Sequence, residues 1–405
     1  VIKYAISFII GGLMACLEVS FAGARFRNPF IIASAPPAMD AAHIIRAAAA
    51  GWGGAVTKTI TAAAIRDVRP RMAAVREKGV IGMTNIELIS TLGLRQWVEE
   101  EIPAVKNNCP DDFVLIASIM AGPDPQEWAN LASRVEAAGA DMIELNVSCP
   151  HGMPEKGMGM SIGQDAELVE AVTKGAKKGS SLPVIVKLTP NVTDIGAMAA
   201  AAEAGGADAV AGINTVASIP SVDIERETPL PDVFGRSTSG GLSGAAIRPI
   251  ALRCIADIKR KTGLPVSGIG GITDWRSAVE FLLMGASTLQ LGTAVMFRGF
   301  GLIGELVDGL LAYMNRKGYE RISDFRGHAL NALTAHRKLK VDESVRAHIS
   351  ASACSGCGAC VTACGDGAFG AVRIENGKAE VDTALCDGCG LCAALCPSGA
   401  VLIKA

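Results

Sequence analysis

Ala137-Ala138-Gly139-Ala140-Asp141-Met142-Ile143-Glu144-Leu145-Asn146-Val147-Ser148 decides the fold. The stretch opens where a helix ends on glycine, passes at once into an apolar run short enough for a buried strand, and finishes in polar side chains. The same punctuation recurs as Ala-Ala-Gly-Trp-Gly at 49–53, Ala-Gly-Gly-Ala-Asp at 204–208 and Met-Gly-Ala-Ser at 284–287. Working outward, apolar runs alternate with helical stretches, and eight strands are predicted: Phe30–Ser34, Ala55–Ile60, Phe113–Met120, Met142–Ser148, Val184–Thr189, Ala209–Thr215, Val266–Ile272 and Thr288–Val295. Eight βα units over about 290 residues predict an α/β chain folded as a (β/α)8 TIM barrel, with its site at the C-terminal ends of the strands. The alternative, an open doubly wound sheet, lacks support because no G-x-G-x-x-G follows the first strand and the glycines gather after strands seven and eight. The long segment between strands two and three, Thr61 to Pro110, is expected to fold over the barrel mouth.

The chain has 405 residues, of which 50% are hydrophobic and 19% charged, so it has material for a buried core and is not intrinsically disordered. Its net charge of -2 gives no general attraction to nucleic acid or anionic membrane, and 4% aromatics are too few for base stacking. Four segments are expected: an apolar extension over 1–16, the barrel over 17–318, a linker over 319–350 and a small domain over 351–405. The extension ends in a lipobox-like Leu13-Met14-Ala15-Cys16, but its apolar run is too short to span a bilayer. A natural start at Met14 and a cytoplasmic location are the preferred reading.

Eight of the twelve cysteines crowd into the tail as two C-x2-C-x2-C-x3-C runs: Cys354, Cys357, Cys360, Cys364, then Cys386, Cys389, Cys392, Cys396. This spacing fits two [4Fe-4S] clusters, each taking three thiolates from one run and the fourth from the other. The sets are Cys354, Cys357, Cys360 and Cys396, and Cys386, Cys389, Cys392 and Cys364. Zinc and disulfides are the lesser alternatives. Pro397 follows the second run, whereas Gly365 stands in the equivalent place after the first. A one-electron module of this kind calls for a redox cofactor in the barrel.

At the predicted strand ends, Lys58 and Lys187 are candidates to meet an anionic cofactor; the alternative is an internal ion pair with Glu144. Asn146, Asn191, Asn214 and Thr215 are placed to read a heterocycle, although any one of them alone would be ordinary capping. Gly268, Gly270, Gly271 and Gly292 with Thr293 suit a phosphate after strands seven and eight, against plain turn glycines. Cys149 ends strand four, where a neutral thiol can donate a proton or simply pack. Met153 to Met160 lacks a hydrophobic period and is expected to act as a lid, while His151 is given no role.

Asn-x-Ser-Cys-Pro-His-Gly-Met at 146–153, Lys-Leu-Thr-Pro-Asn-Val-Thr-Asp-Ile at 187–195, Ile-Asn-Thr-Val at 213–216, Gly-x-Ser-Gly-x-Ala-Ile-Arg-Pro-Ile-Ala-Leu-Arg at 241–253 and Asn-Ile-Glu-Leu-Ile-Ser at 85–90 resemble the dihydropyrimidine dehydrogenases. The resemblance runs from about residue 18 to the end and is closest to bacterial catalytic subunits related to the class 1 dihydroorotate dehydrogenases. It implies an FMN barrel acting on the C5=C6 bond of uracil or thymine in pyrimidine catabolism. Hydride would pass between FMN N5 and C6, and a proton between Cys149 and C5. Lys58 and Lys187 would hold the flavin, with Ala33, Ser34 and Thr59 nearby and the phosphate at Gly244, Gly270, Gly271, Gly292 and Thr293. Asn85, Glu87, Asn146, Asn214 and Thr215 would read the pyrimidine. Electrons would come through the two clusters from a partner subunit carrying FAD and NAD(P) or from a ferredoxin, and the resemblance also allows a homodimeric barrel within a hetero-oligomer. The competing readings are a dihydroorotate dehydrogenase and a non-catalytic electron carrier.

Overall fold

The computed structural model describes residues 15–405. The expectations for the first thirteen residues and for Met14 lie outside them. Cys16 donates its backbone N–H to Glu320 O at 2.8 Å. The chain divides into two compact units between Ala332 and Leu333.

In the first unit, eight parallel strands close into a barrel: β1 (Phe30–Ile32), β2 (Gly54–Val56), β3 (Val114–Ile119), β4 (Met142–Asn146), β5 (Val184–Lys187), β6 (Ala209–Gly212), β7 (Val266–Ile269) and β8 (Thr288–Leu291). Neighbours in sequence are neighbours around the barrel, and β8 closes on β1 through the Gln290–Ile31 pairing. Five of the outer helices start at acidic caps: Asp40, Asp124, Asp165, Asp194 and Asp274 each accept a backbone N–H of the first turn. An aspartate at this position satisfies a donor that the helix cannot pair internally and favours the positive end of its dipole. Apolar residues such as Ile44, Trp128 and Phe281 are fully buried.

All eight expected strands form, but most end sooner than the sequence reading places them. Lys58 lies past β2 rather than in it. Thr57 N–H still bonds to Ile116 O at 2.9 Å, Lys58 N–H turns away to Ala38 O at 2.9 Å, and Ile60 rejoins the neighbouring chain through Ser118 O at 2.8 Å. This one-residue departure from the ladder is what swings the lysine into the mouth. Thr293, expected inside strand eight, instead opens the helix Thr293–Arg298.

The first part of Thr61 to Pro110 lies at the mouth, whereas Leu94 to Asn108 runs as helix packed into the core of the barrel unit. The hairpin of the first part, Met72–Glu77 and Gly79–Asn85, joins Val216–Ser218 and Gly240–Ser243 in a four-stranded antiparallel sheet. None of these four strands was in the sequence reading. In the Met153–Met160 stretch, expected to act as a lid, Met153 is buried with Ile89, Met120 and Cys149 in a small apolar cluster, while Glu155, Lys156 and Gly157 are exposed.

In the second unit, Arg346–Ile349 pairs antiparallel with Val401–Lys404, and Val372–Glu375 with Lys378–Val381, around the helices Ala359–Gly367 and Leu391–Leu395. The segment read as a linker is therefore structured at both ends. Ile322 and Phe325 are buried in the barrel unit's core, with Phe325 stacked on Tyr319 at 5.1 Å, while Arg346–Ile349 belongs to the tail sheet. Gly365 also has a visible effect: without a proline there, the first helix continues past Cys364, whereas the second stops at Leu395 before Cys396 and Pro397. No helix among the described residues is long and apolar enough to cross a membrane.

Helices Pro125–Ala137 and Ala166–Gly179 pack at backbone distance, since a Cβ on Gly175 would stand 2.3 Å from Pro125 O. Gly175→Ala should lower stability by about 1–3 kcal/mol through overpacking, despite the better helix propensity of alanine. Urea unfolding of the two chains measures this, and a variant as stable as the parent would contradict so close a contact.

Candidate active site

A cleft of about 1040 Å³, counted out to its open mouth, lies at the C-terminal ends of the barrel strands. Every barrel residue named above for flavin, pyrimidine or proton transfer borders it. Two other candidates do not. Asn191 braces a loop, donating to Thr189 Oγ1 and Thr215 O and accepting from Ala217 N–H. Gly268 leaves room for Phe281, whose ring would meet a Cβ there at 2.6 Å.

The two buried lysines have different partners. Lys187 Nζ is 3.5 Å from Glu144 Oε1, the internal ion pair the sequence offered as an alternative, yet Lys187 also borders the cleft. Lys58 Nζ is 3.2 Å from Glu87 Oε1, on the segment that folds over the mouth. Arg71 Nε stands 3.9 Å from both Glu87 and Asp67, and Asp67 Oδ1 accepts Leu88 N–H at 2.7 Å. Charges so shielded from water need partners, and here the pairing clips the covering segment onto the barrel.

A polar chain crosses the cleft floor. Ser118 and Thr59 hydroxyls meet at 3.0 Å, Asn146 Nδ2 donates to Thr59 Oγ1 at 2.9 Å, and Ser148 Oγ donates to Asn146 Oδ1 at 2.9 Å. Asn214 Nδ2 then donates to Ser148 Oγ at 2.9 Å. Each amide is thereby held in one orientation with a second N–H unused by these bonds. Gln290 borders the cleft, and Ser118 and Ser148, fully buried, hold its polar residues from behind; the sequence reading gave none of the three a role. On inward-facing strand positions, polar side chains carry no sequence mark that separates a site from a polar core.

Cys149 is buried, and its Sγ donates to His151 O at 3.5 Å. Burial pushes the thiol up to about 11, outweighing the pull of the hydrogen bond and of Lys58 and Lys187. The group is therefore a neutral acid at physiological pH, able to give a proton and recover it. His151 is buried too; burial holds it below its usual range, and Nε2 meets Glu87 O at 2.7 Å, tying the Cys149 loop to the covering segment.

The residues fit the cofactors expected of them. Beyond β7, Gly270 and Gly271 have φ of +121° and +82°, and a Cβ at Gly271 would lie 2.9 Å from both Arg248 N and Gly244 O. Backbone alone can pass there, beside the start of the helix Arg248–Lys261, which suits a phosphate. Two buried cations bordering this cleft suit the anionic flavin, FMN. In the tail, one cavity is lined by Cys354, Cys357, Cys360 and Cys396 and another by Cys364, Cys386, Cys389 and Cys392. No three of these side chains converge closely enough to hold a single ion among the described residues. Thiolates around a wide cavity suit a cube, whereas zinc draws its sulfurs to about 2.3 Å from one centre. Backbone N–H groups already point at the sulfurs, from Ala371 to Cys364 at 3.3 Å and from Ala400 to Cys396 at 3.2 Å.

Residues 16–314 match the dihydroorotate dehydrogenase family, and residues 347–403 match the 4Fe-4S dicluster domain. Among curated proteins, the chain is 40% identical to the NAD-dependent dihydropyrimidine dehydrogenase subunit PreA of Escherichia coli K12, over 87% of this chain and 86% of that protein. It is 38% identical to the chloroplastic dihydropyrimidine dehydrogenase (NADP(+)) of Arabidopsis thaliana, over 80% and 79%. It is 43% identical to the catalytic subunit of dihydroorotate dehydrogenase B (NAD(+)) of Pyrococcus horikoshii, over 78% of this chain and 98% of that one.

The raised thiol of Cys149 generates a direct test. At pH 7.5 its alkylation by iodoacetamide should be about a hundredfold slower than that of a free cysteine peptide, and should keep rising beyond pH 10. Mass spectrometry of the peptide containing Cys149 across a pH series reads this. A plateau between pH 8 and 9 would contradict it.

Proposed function

The chain belongs to the dihydroorotate dehydrogenase family, with a 4Fe-4S dicluster domain fused after the barrel, and from that premise we propose that it interconverts uracil or thymine and the 5,6-dihydropyrimidine. The observation that carries this choice of substrate is Glu87, a buried carboxylate at the cleft 3.2 Å from Lys58. An uncharged pyrimidine offers N–H groups that a carboxylate can accept, with Asn85, Asn146, Asn214 and Thr215 for the remaining lactam edges. A substrate bearing its own carboxylate would meet like charge at Glu87 in a desolvated site, and Arg71, 3.9 Å from Glu87 and without a hydrogen-bond partner at Nε, is not among the residues that border the cleft.

Bound FMN supplies the hydride chemistry at C6. Lys58, Lys187, Thr59 and Ser34 would hold the ring, and the backbone around Gly244, Gly270, Gly271, Gly292 and Thr293 the phosphate. Cys149 gives its thiol proton to C5 in the direction of reduction and takes it back in the direction of oxidation. Its neutrality at physiological pH is what the first of these steps requires. The covering segment and the Cys149 loop, joined through His151 and Glu87 O, keep bulk water from the reacting carbons.

Two clusters in the tail move electrons one at a time, so a donor that never touches the pyrimidine can serve the barrel. The relative from E. coli is named as a subunit, which favours a partner protein here; that partner would carry FAD and the NAD(P) site, in the cytoplasm. The second reading, a dihydroorotate dehydrogenase, is favoured by the 43% identity with the Pyrococcus horikoshii protein. That likeness covers 78% of this chain and nearly the whole of the relative, so identity across the shared barrel does not separate the two substrates.

Cys149→Ala should retain FMN and pyrimidine binding while turnover falls by about 10²–10⁴. Steady-state rates with an artificial electron donor, together with pyrimidine titrations of the oxidised flavin spectrum, test it. Turnover near that of the parent would refute the assignment of the proton donor.

A further inference from the structure

Gln290, the third residue of β8, is 1% exposed and borders the cleft. Its Nε2 donates to Glu144 Oε2 at 2.8 Å. Only the amide N–H can donate to a carboxylate, so chemistry fixes which way the carboxamide points. Gln290 Oε1 is consequently turned away from Glu144, and it is buried without a hydrogen-bond partner. Glu144, itself fully buried, does not border the cleft; its other oxygen faces Lys187 Nζ at 3.5 Å. One carboxylate thus holds a cation on one oxygen and a carboxamide on the other, and both Lys187 and Gln290 border the cleft.

A buried acceptor with no donor is costly unless a ligand supplies the missing N–H. Ser267 and Thr288 also bury unpartnered hydroxyls nearby on β7 and β8, but neither borders the cleft. The pyrimidine edge of an oxidised flavin presents O2, N3–H and O4, in which N3–H is the sole donor. A site for that edge therefore needs one fixed acceptor with a donor beside it, and the Gln290–Glu144–Lys187 group has that pattern.

We propose that Gln290 is a cofactor-binding residue whose carbonyl oxygen accepts the flavin N3–H, and that Glu144 is the positioning residue that orients it. The inference rests on the reading that the barrel binds FMN. Glu144 turns the carboxamide so that oxygen, and not NH2, faces the ring, and it sets Lys187 beside it for the ring's anionic side. Both residues lie on rigid barrel strands, so the acceptor is in place before the cofactor arrives.

The test uses the full chain freed of flavin, titrated with FMN and with 3-methyl-FMN, which lacks the N3–H, by quenching of flavin fluorescence. The parent should bind FMN about tenfold or more tightly than 3-methyl-FMN, the worth of one hydrogen bond in a buried site. Gln290→Ala should bind the two flavins within about twofold of each other, and Gln290→Met, similar in size but without the acceptor, should bind FMN about tenfold more weakly than the parent. Glu144→Gln should also narrow the preference, which a merely structural role would not do; because Glu144 is fully buried and its variant could misfold, the Gln290 variants decide. Equal binding of the two flavins by the parent, or the parent's preference retained in Gln290→Ala, overturns the proposal and leaves FMN binding intact. Failure of the parent to bind FMN at all overturns the cofactor reading, and this inference with it.

Discussion

Two ammonium groups held almost out of water at the mouth of the barrel, each against a carboxylate, are the constraint on which the site depends. Removing such charges from solvent is expensive, and one left unpaired would be more so. The chain meets this in two ways. Lys187 is answered within the barrel by Glu144, on the neighbouring strand. Lys58 is answered by Glu87, which arrives on the segment between β2 and β3, so the segment that closes the mouth also brings the counter-charge. Opening that segment would strip Lys58 of its partner, which links closure over the cleft to the electrostatics inside it.

The same pairing shapes the chemistry at Cys149. The thiol lies beneath the covering segment, packed with Met153, Met120 and Ile89, and this apolar contact raises it well above an ordinary cysteine. His151, bonded to the backbone of Glu87, joins the loop that carries the thiol to the segment that carries the carboxylate. A neutral thiol, a buried carboxylate and a cation are thereby coupled through short connections at one rim. The tail follows a different logic: its small core is mostly cysteine and alanine, so the residues that bind the clusters are also the ones that fill it.

Much of this was legible in the sequence because glycine marks each helix-to-strand turn and the polar residues follow the apolar runs at once. Alternation could not show where each strand leaves its ladder, so Lys58 and Thr293 were placed inside strands that the structure ends earlier. Val216–Ser218 and Gly240–Ser243 were not read as strands, being short and small-residue-rich, with pairings that come only from the distant hairpin. Arg346–Ile349 looked like linker because its partner strand lies at the far end of the chain. Gln290 was passed over because Thr-Leu-Gln-Leu reads as an ordinary strand, and only the carboxylate across the barrel shows which way its amide faces.

The central claim is that this barrel passes a hydride and a proton to an uncharged pyrimidine. Its most direct test is anaerobic: the purified chain is reduced chemically, and the flavin absorbance is followed on adding uracil, thymine or orotate, with product analysis alongside. The account predicts prompt return of the oxidised flavin spectrum with uracil or thymine, together with the matching dihydropyrimidine, and little response to orotate. Reoxidation by orotate alone would contradict it and assign the site to the carboxylate-bearing substrate.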